Sequence, residues 1–217
     1  MTHLSRHIVQ TADGSSTLFI PEMNEHYHSS KGALSESLHV FIENGLRRFE
    51  RSTELTILEV GMGTGLNALL TAAFAHQPIM YIGLEPYPLE EHEWTKLHFP
   101  GHTIPADWIT QLHKTPAGTS ITLNHTSIVW HQMKLEAYQA DRSIDLVYFD
   151  AFAPMKQAGP WCMDNLQKIY DFLAPNGLLT TYCANGQFKR NLRSLGFELE
   201  SPPGPMGKRE ITLATKI

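Results

Sequence analysis

A carboxylate placed directly after an apolar run is well sited for chemistry, and Asp150 is such a residue. IDLVYFD, Ile144 to Asp150, reads as a buried strand with the acid at its carboxyl end. Phe152 and Pro154 follow at once, so a stiff apolar corner adjoins the carboxylate. An acid so placed can orient an amine N–H, take up its proton, or offset the positive charge that develops as the nitrogen is alkylated. The plain alternative is that Asp150 caps the following segment or pairs with Lys156.

A second group of candidates lies in EVGMGTGLNALL, Glu59 to Leu70. Gly61, Gly63 and Gly65 follow an apolar strand and open a helix, which lets backbone approach a ligand closely. A dinucleotide fingerprint wants its third glycine at position 66, and that residue is Leu66. No Lys follows the glycines, so a Walker phosphate loop is excluded. Glu85 ends the next strand, 20 residues beyond Gly65, where an acid can bind ribose hydroxyls. That placement suits NAD and S-adenosylmethionine equally. Leu66 and the acid Glu59 before the loop favour S-adenosylmethionine, which lacks a pyrophosphate and carries a cationic amine at its amino-acid end. A nicotinamide oxidoreductase and a plain tight turn remain the rival readings of the loop.

The elements that must position these groups follow from apolar periodicity. LTILEV, IMYIGLE, IDLVYFD and GLLTTYC read as strands buried on both faces, which marks a mostly parallel sheet between helices. ITLNHTSIVW supplies one or two more strands, and GFELESPPGPMGKREITLATKI an antiparallel pair. Helices are expected over LNALLTAAFA, Asp107 to His113, Asp164 to Leu173 and Gln187 to Leu195. Ahead of them, IVQTADGSSTLFI reads as a hairpin turning at Asp13-Gly14, and Ser35 to Leu46 as a helix. The expected fold is α/β: a Rossmann-like, mostly parallel seven-stranded sheet with a C-terminal antiparallel hairpin. Residues 1–50 form a small extension of hairpin and helix, and residues 51–217 the main domain.

At 217 residues, 42% hydrophobic and 18% charged, the chain is an ordinary globular one, long enough for a full core. MTHLSRHIVQTADG has no apolar core of signal-peptide length, so export is not expected, and no apolar run nears the roughly 20 residues that span a bilayer. Cys162 and Cys183 stand far apart, which indicates neither a disulfide framework nor a zinc knuckle, so the cytoplasm is the expected compartment. The spacing of His92, His98 and His102 fits no zinc pattern, and no metal is expected. The net charge of −5 argues against sequence-blind nucleic-acid binding. It hides an asymmetry, because six Lys and Arg against three Asp and Glu from Thr181 onward carry +3 and leave −8 on the first 180 residues.

Taken in order, LEVGMGTGLNALL, YIGLEPYPL, DLVYFDAFAPMKQAGPW, GLLTTYCANGQFKRNLRSLGF and GPMGKREITLA resemble the MnmD/MnmC methyltransferase family over nearly the whole chain. DAFAP followed by Trp161, and GPMGKRE, are more specific than the glycine loop. The resemblance implies transfer of methyl from S-adenosylmethionine to the exocyclic amine of 5-aminomethyl-(2-thio)uridine at wobble position 34 of tRNA. It further implies dependence on another enzyme that supplies the amine. Carried onto this chain, Glu59, Gly61, Gly63, Gly65 and Asn67 would hold the methionine end and Glu85 the ribose. Asp150 would serve the amine, in a pocket shaped by Phe152, Pro154 and Trp161 under a lid that includes Tyr27 and His28. The family's usual adenine-binding acid is missing, and Gln132 or Met133 stands there.

Anticodon recognition calls for phosphate contacts around an extruded base. Lys189, Arg190, Arg193, Lys208 and Arg209 are the candidates, with a solvated helix face as the alternative for Arg190 and Arg193. A small-molecule amine methyltransferase or aminopropyltransferase would share the fold and the acid at Asp150, and a catalytically silent binding protein is the rival from another class.

Overall fold

Every run that reads as a buried strand in the sequence is one in the computed structural model, which describes residues 5–101, 103–207 and 210–217. Strands β1 (His7–Gln10), β2 (Ser16–Ile20) and β3 (Glu25–His26) form a small antiparallel sheet. Helix α1 (Ala33–Ser37) follows and continues as a π-helix over Leu38–Glu43. The widened turn has an outside partner, since Thr180 Oγ1 donates to the Val40 carbonyl at 2.9 Å. The helix expected from Ser35 to Leu46 therefore begins two residues early and widens before its end.

The main sheet is built from β4 (Leu55–Val60), β5 (Ile79–Leu84), β6 (Ser120–Leu123), β7 (Thr126–His131), β8 (Ile144–Phe149), β9 (Leu173–Thr181), β10 (Phe197–Glu200) and β11 (Thr212–Lys216). Their spatial order is β10-β11-β9-β8-β4-β5-β7-β6. The five inner strands, β9 to β7, run parallel; β11, β10 and β6 are antiparallel to their neighbours. The sheet has eight strands where seven were expected. Asn124, at φ +51, turns the ITLNHTSIVW segment into a hairpin and so adds β6 as an edge.

Alternate residues of the inner strands enter two apolar layers. Ile57, Tyr81, Leu146 and Tyr148 face α2 (Leu66–Phe74), Val40 and Phe41 in one layer. Leu58, Ile82, Val147 and Phe149 face α5 (Met163–Phe172) and α6 (Gly186–Ser194) in the other. The short helix α3 (Glu91–Trp94) and α4 (Ala106–Lys114) bring Trp94 and Leu112 into the first layer. Among the described residues, no helix is long and apolar enough to cross a membrane.

Candidate active site

Parallel register sets the site. Val60 pairs with Leu84 on one side and with Phe149 on the other, so the next residues, Gly61, Glu85 and Asp150, share one row at the carboxyl ends of three strands. The row falls at β4, where the chain order reverses and open α/β sheets form their ligand crevice. Local bonds tighten it: the N–H of Gly61 donates to the Leu84 carbonyl (3.0 Å) and that of Asp150 to the Val60 carbonyl (2.9 Å).

The loop after β4 has no room for a side chain at any of its three glycines, two of which face the cleft. A Cβ on Gly61, at φ +89, would lie 2.8 Å from the Asp150 carbonyl oxygen. One on Gly63, at φ +53, would lie 2.9 Å from the ring of Tyr27. Both positions need glycine for its conformation and for its absent side chain. Gly65 does another job: it is the N-cap of α2 and packs against Leu112, away from the cleft.

Glu85 is buried, yet both its oxygens are bonded. Oε2 accepts the Gly63 N–H and Oε1 the Tyr87 N–H, each at 2.8 Å. Burial raises its pKa, against the lowering effect of these two backbone donors. The carboxylate thereby holds the glycine loop in place while lining the cleft.

The cleft has two chambers. The inner one, about 60 Å³, is walled by Tyr27, His28, Gly63, Glu85, Asp150 and Phe152. The outer one, about 270 Å³, lies between Met133, Leu135, Glu136 and Pro160. Gly61, Pro86, Tyr87, Ala151 and Gln157 belong to both, so the two chambers form one bent groove. Among the described residues, no group of three or more His, Cys, Asp or Glu side chains is arranged to hold a metal.

The N-terminal sheet closes over the inner chamber. Tyr27 meets Phe152 edge-on, with ring centroids 5.1 Å apart. Arg6 donates to Glu93 (2.7 Å), to the Tyr87 carbonyl (2.8 Å) and, at 3.4 Å, to the Tyr27 hydroxyl. Lys156 donates to the Met23 carbonyl at 2.7 Å, so its ammonium ties the loop after β8 to the same sheet. Burial pushes the Tyr27 phenol up to about 12 and His28 down to about 4, leaving both side chains neutral near pH 7.

Other expected site residues are placed differently. Glu59 and Asn67 do not line the groove: Glu59 is wholly buried beneath it, and the Asn67 amide lies between Glu59 and Asp150. Trp161 is buried behind the wall, its Nε1–H donating to the Phe152 carbonyl at 2.7 Å and its ring packed on Phe149 and Phe188. Pro154 is half-buried in the same loop without lining either chamber. Met133 lines the outer chamber; Gln132 is exposed and does not. Glu136, one 3₁₀ turn further on, does line it, its carboxylate lying close to Gly159.

Lys189 is not a surface cation. It is buried and donates to Glu210 (2.9 Å) and Ser201 (2.8 Å). Arg190 and Arg193 are exposed, and Arg190 bonds Gln187 on its own helix. Lys208 and Arg209 lie outside the described residues, as does His102. Sequence reasoning missed Arg6, Glu136 and Gln157. Only Glu136, an acid in a stretch where one was wanted, carried a signal.

A family model described as S-adenosyl-L-methionine-dependent methyltransferase matches residues 92–217. The tRNA 5-methylaminomethyl-2-thiouridine biosynthesis bifunctional protein MnmC of Cupriavidus necator is 27% identical over 91% of this chain and 32% of its own length. Its counterpart in Magnetococcus marinus is 26% identical over 89% and 32%. The chain thus spans about a third of the curated relatives it matches. Among solved structures, MNMC2 from Aquifex aeolicus superposes with a TM-score of 0.82 at 26% identity, over 98% of this chain and 71% of that one. Spermidine synthase from Thermotoga maritima, at 15% identity and a TM-score of 0.59 over 99% of this chain and 74% of that one, shares the fold.

Proposed function

We propose that this chain, which belongs to the S-adenosyl-L-methionine-dependent methyltransferase family, methylates the exocyclic amine of 5-aminomethyl-(2-thio)uridine at the wobble position of tRNA. The observation that carries the reading is the row of Gly61, Glu85 and Asp150, a cofactor loop and an amine-handling acid side by side. The row belongs to a chain similar over nearly its full length to proteins named for that uridine. The reaction takes place in the cytoplasm, where another enzyme supplies the aminomethyl group.

The groove suits the cofactor. Gly61 and Gly63 leave backbone where side chains would stand, and the bend separates a narrow polar chamber from a wider apolar one. In this reading the loop would hold the methionine end and Glu85 the ribose hydroxyls, while Met133, Leu135, Glu136 and Pro160 would hold the adenine. When bound, S-adenosyl-L-methionine supplies a methyl carbon activated by a positive sulfur.

The protein's share is position and proton. An aliphatic amine with a pKa of roughly 10 arrives in water as ammonium and must lose a proton before its lone pair can react. Asp150 accepts from the amine N–H, aims the nitrogen and offsets the positive charge that appears on it. Tyr27 and Phe152 keep water from the nitrogen and narrow its approach, so much of the rate comes from orientation. Arg190 and Arg193, exposed on α6, contact phosphates of the anticodon stem-loop.

The test is methyl transfer from labelled S-adenosyl-L-methionine to tRNA carrying 5-aminomethyluridine at the wobble position. Unmodified transcript and free polyamines serve as parallel acceptors. Label in the aminomethylated tRNA alone, lost in Asp150→Ala, is the expected result. Label in a polyamine instead would sink the tRNA reading and favour a small-amine enzyme.

A further inference from the structure

The Asn67 side chain is joined to both acids at once. Its Nδ2 donates to Asp150 Oδ2 and to Glu59 Oε1, each at 2.8 Å. Glu59 Oε2 accepts from the Tyr81 hydroxyl at 2.7 Å, and Glu59 and Tyr81 have no solvent exposure. A bonded line thus runs from the core to the wall of the inner chamber: Tyr81, Glu59, Asn67, Asp150.

The orientation of the amide is informative. Asn67 is 2% exposed, and its Oδ1 has no hydrogen-bond partner among the described residues. A buried acceptor left bare is costly, so this orientation must be held by what the nitrogen gains. Turning the amide over would set its oxygen against the two carboxyl groups and lose both donated hydrogen bonds. With its nitrogen toward both acids, the amide is a hydrogen-bond donor to the Asp150 carboxyl group.

The backbone supports the same geometry. Gly65 caps α2 in the left-handed conformation, and Asn67 lies two residues beyond, in the first turn, above the end of β4. Neither Asn67 nor Glu59 lines either chamber of the groove.

We propose that Asn67 is a positioning residue for methyl transfer: its amide nitrogen anchors the Asp150 carboxylate at the chamber wall and favours its ionised form. The proposal rests on the role given above to Asp150. Several groups besides Asn67 surround that carboxylate. Glu59 stands on β4 and Tyr81 on β5, with Glu85 at the end of β5. Tyr182, after β9, donates to the Ala151 carbonyl at 2.8 Å, and Tyr27 and His28 come from the N-terminal sheet. Lys156, on the same loop, is committed to Met23. Within this surrounding, Asn67 Nδ2 donates a hydrogen bond to Asp150 Oδ2 at 2.8 Å.

The experiment is a carbon-detected NMR titration of the Asp150 carboxyl in the cofactor-free full chain, assigned by its disappearance in Asp150→Asn. Wild type, Asn67→Ala and Asn67→Ser are compared, the serine serving if the alanine variant does not fold. Removing a donor to an ionised carboxylate raises its midpoint, here by about one pH unit or more. In the tRNA assay kcat falls about tenfold, while the dissociation constant for S-adenosyl-L-methionine stays within about threefold. An unmoved Asp150 midpoint overturns the proposal, whatever happens to melting temperature or cofactor affinity. A moved midpoint in a protein that methylates no tRNA would instead count against the functional reading and leave the Asn67–Asp150 coupling standing.

Discussion

Tyr27 lies edge-on to Phe152 at 5.1 Å, and the Tyr27 ring also stands where a side chain on Gly63 would be. One residue of the N-terminal sheet thus seals both the cofactor loop and the loop after β8. In the proposed reaction the acceptor amine would pass this pair to reach Asp150.

Tyr27→Ala opens the seal without touching the acid. Losing an aromatic wall removes roughly 0.5–1.5 kcal/mol of ring–ring contact and admits water to the nitrogen. The expected result is a fall in kcat/KM for aminomethylated tRNA of about tenfold or more, with cofactor affinity changed much less. Steady-state kinetics beside calorimetric cofactor binding checks it; equal losses in both would make Tyr27 a cofactor residue.

Glu136 and Gln132 make opposing predictions for the adenosine end. Glu136 lines the outer chamber and Gln132 is exposed. Glu136→Ala should weaken S-adenosylhomocysteine about tenfold, the loss of one hydrogen bond to a charged group, and Gln132→Ala should leave it nearly unchanged. The deaminated analogue S-inosylhomocysteine sharpens the comparison. It should bind wild type poorly and the Glu136→Ala variant no worse than the amino form. Isothermal titration gives all five constants.

Glu59 should leave a mark on stability against pH. Burial pushes its carboxyl up to about 8 from an unfolded value of 4.5. The folded state therefore holds a proton that the unfolded chain releases, and the stability tied to it is full below pH 4.5 and lost as pH rises toward 8. Glu59→Gln removes that titration. Urea unfolding of both proteins from pH 4.5 to 8 should show wild type losing stability relative to the variant; a parallel pair of curves would show that Glu59 ionises normally.

The three basic residues of α6 should separate. Lys189→Ala leaves Glu210 without its ammonium in a half-buried place and should lower the unfolding free energy by about 1–3 kcal/mol. Arg190→Ala and Arg193→Ala should spare stability and weaken tRNA binding, each lowering the salt dependence by about one unit of slope. Filter binding over a salt series decides; an unchanged slope in the arginine variants would return them to a solvated helix face.

Much of the site was legible from residue order, because its frame is local. Apolar runs long enough to be buried on both faces announce parallel strands, and Gly61, Gly63, Glu85 and Asp150 each stand within a few residues of a strand end. In a parallel sheet the ends of adjacent strands must converge, so these groups could be placed together before any coordinate was known. The glycine loop followed from the same logic, since positive φ and crowding demand residues that the sequence displays openly.

What tertiary structure decided is the set of roles that depend on which way a side chain points and what it meets from far along the chain. Glu59 and Asn67 read in sequence as holders of the cofactor's methionine end, yet both turn inward, and Asn67 reaches Asp150 across 83 positions. Lys189 reads as a basic surface residue until Glu210 and Ser201 close around it. Arg6 meets Glu93 across 87 positions, and no local pattern foretells it. The physical reason is one of scale. Backbone conformation is set by sterics and hydrogen bonds within a few residues, whereas a polar side chain's role is set by desolvation and the partners that packing happens to deliver.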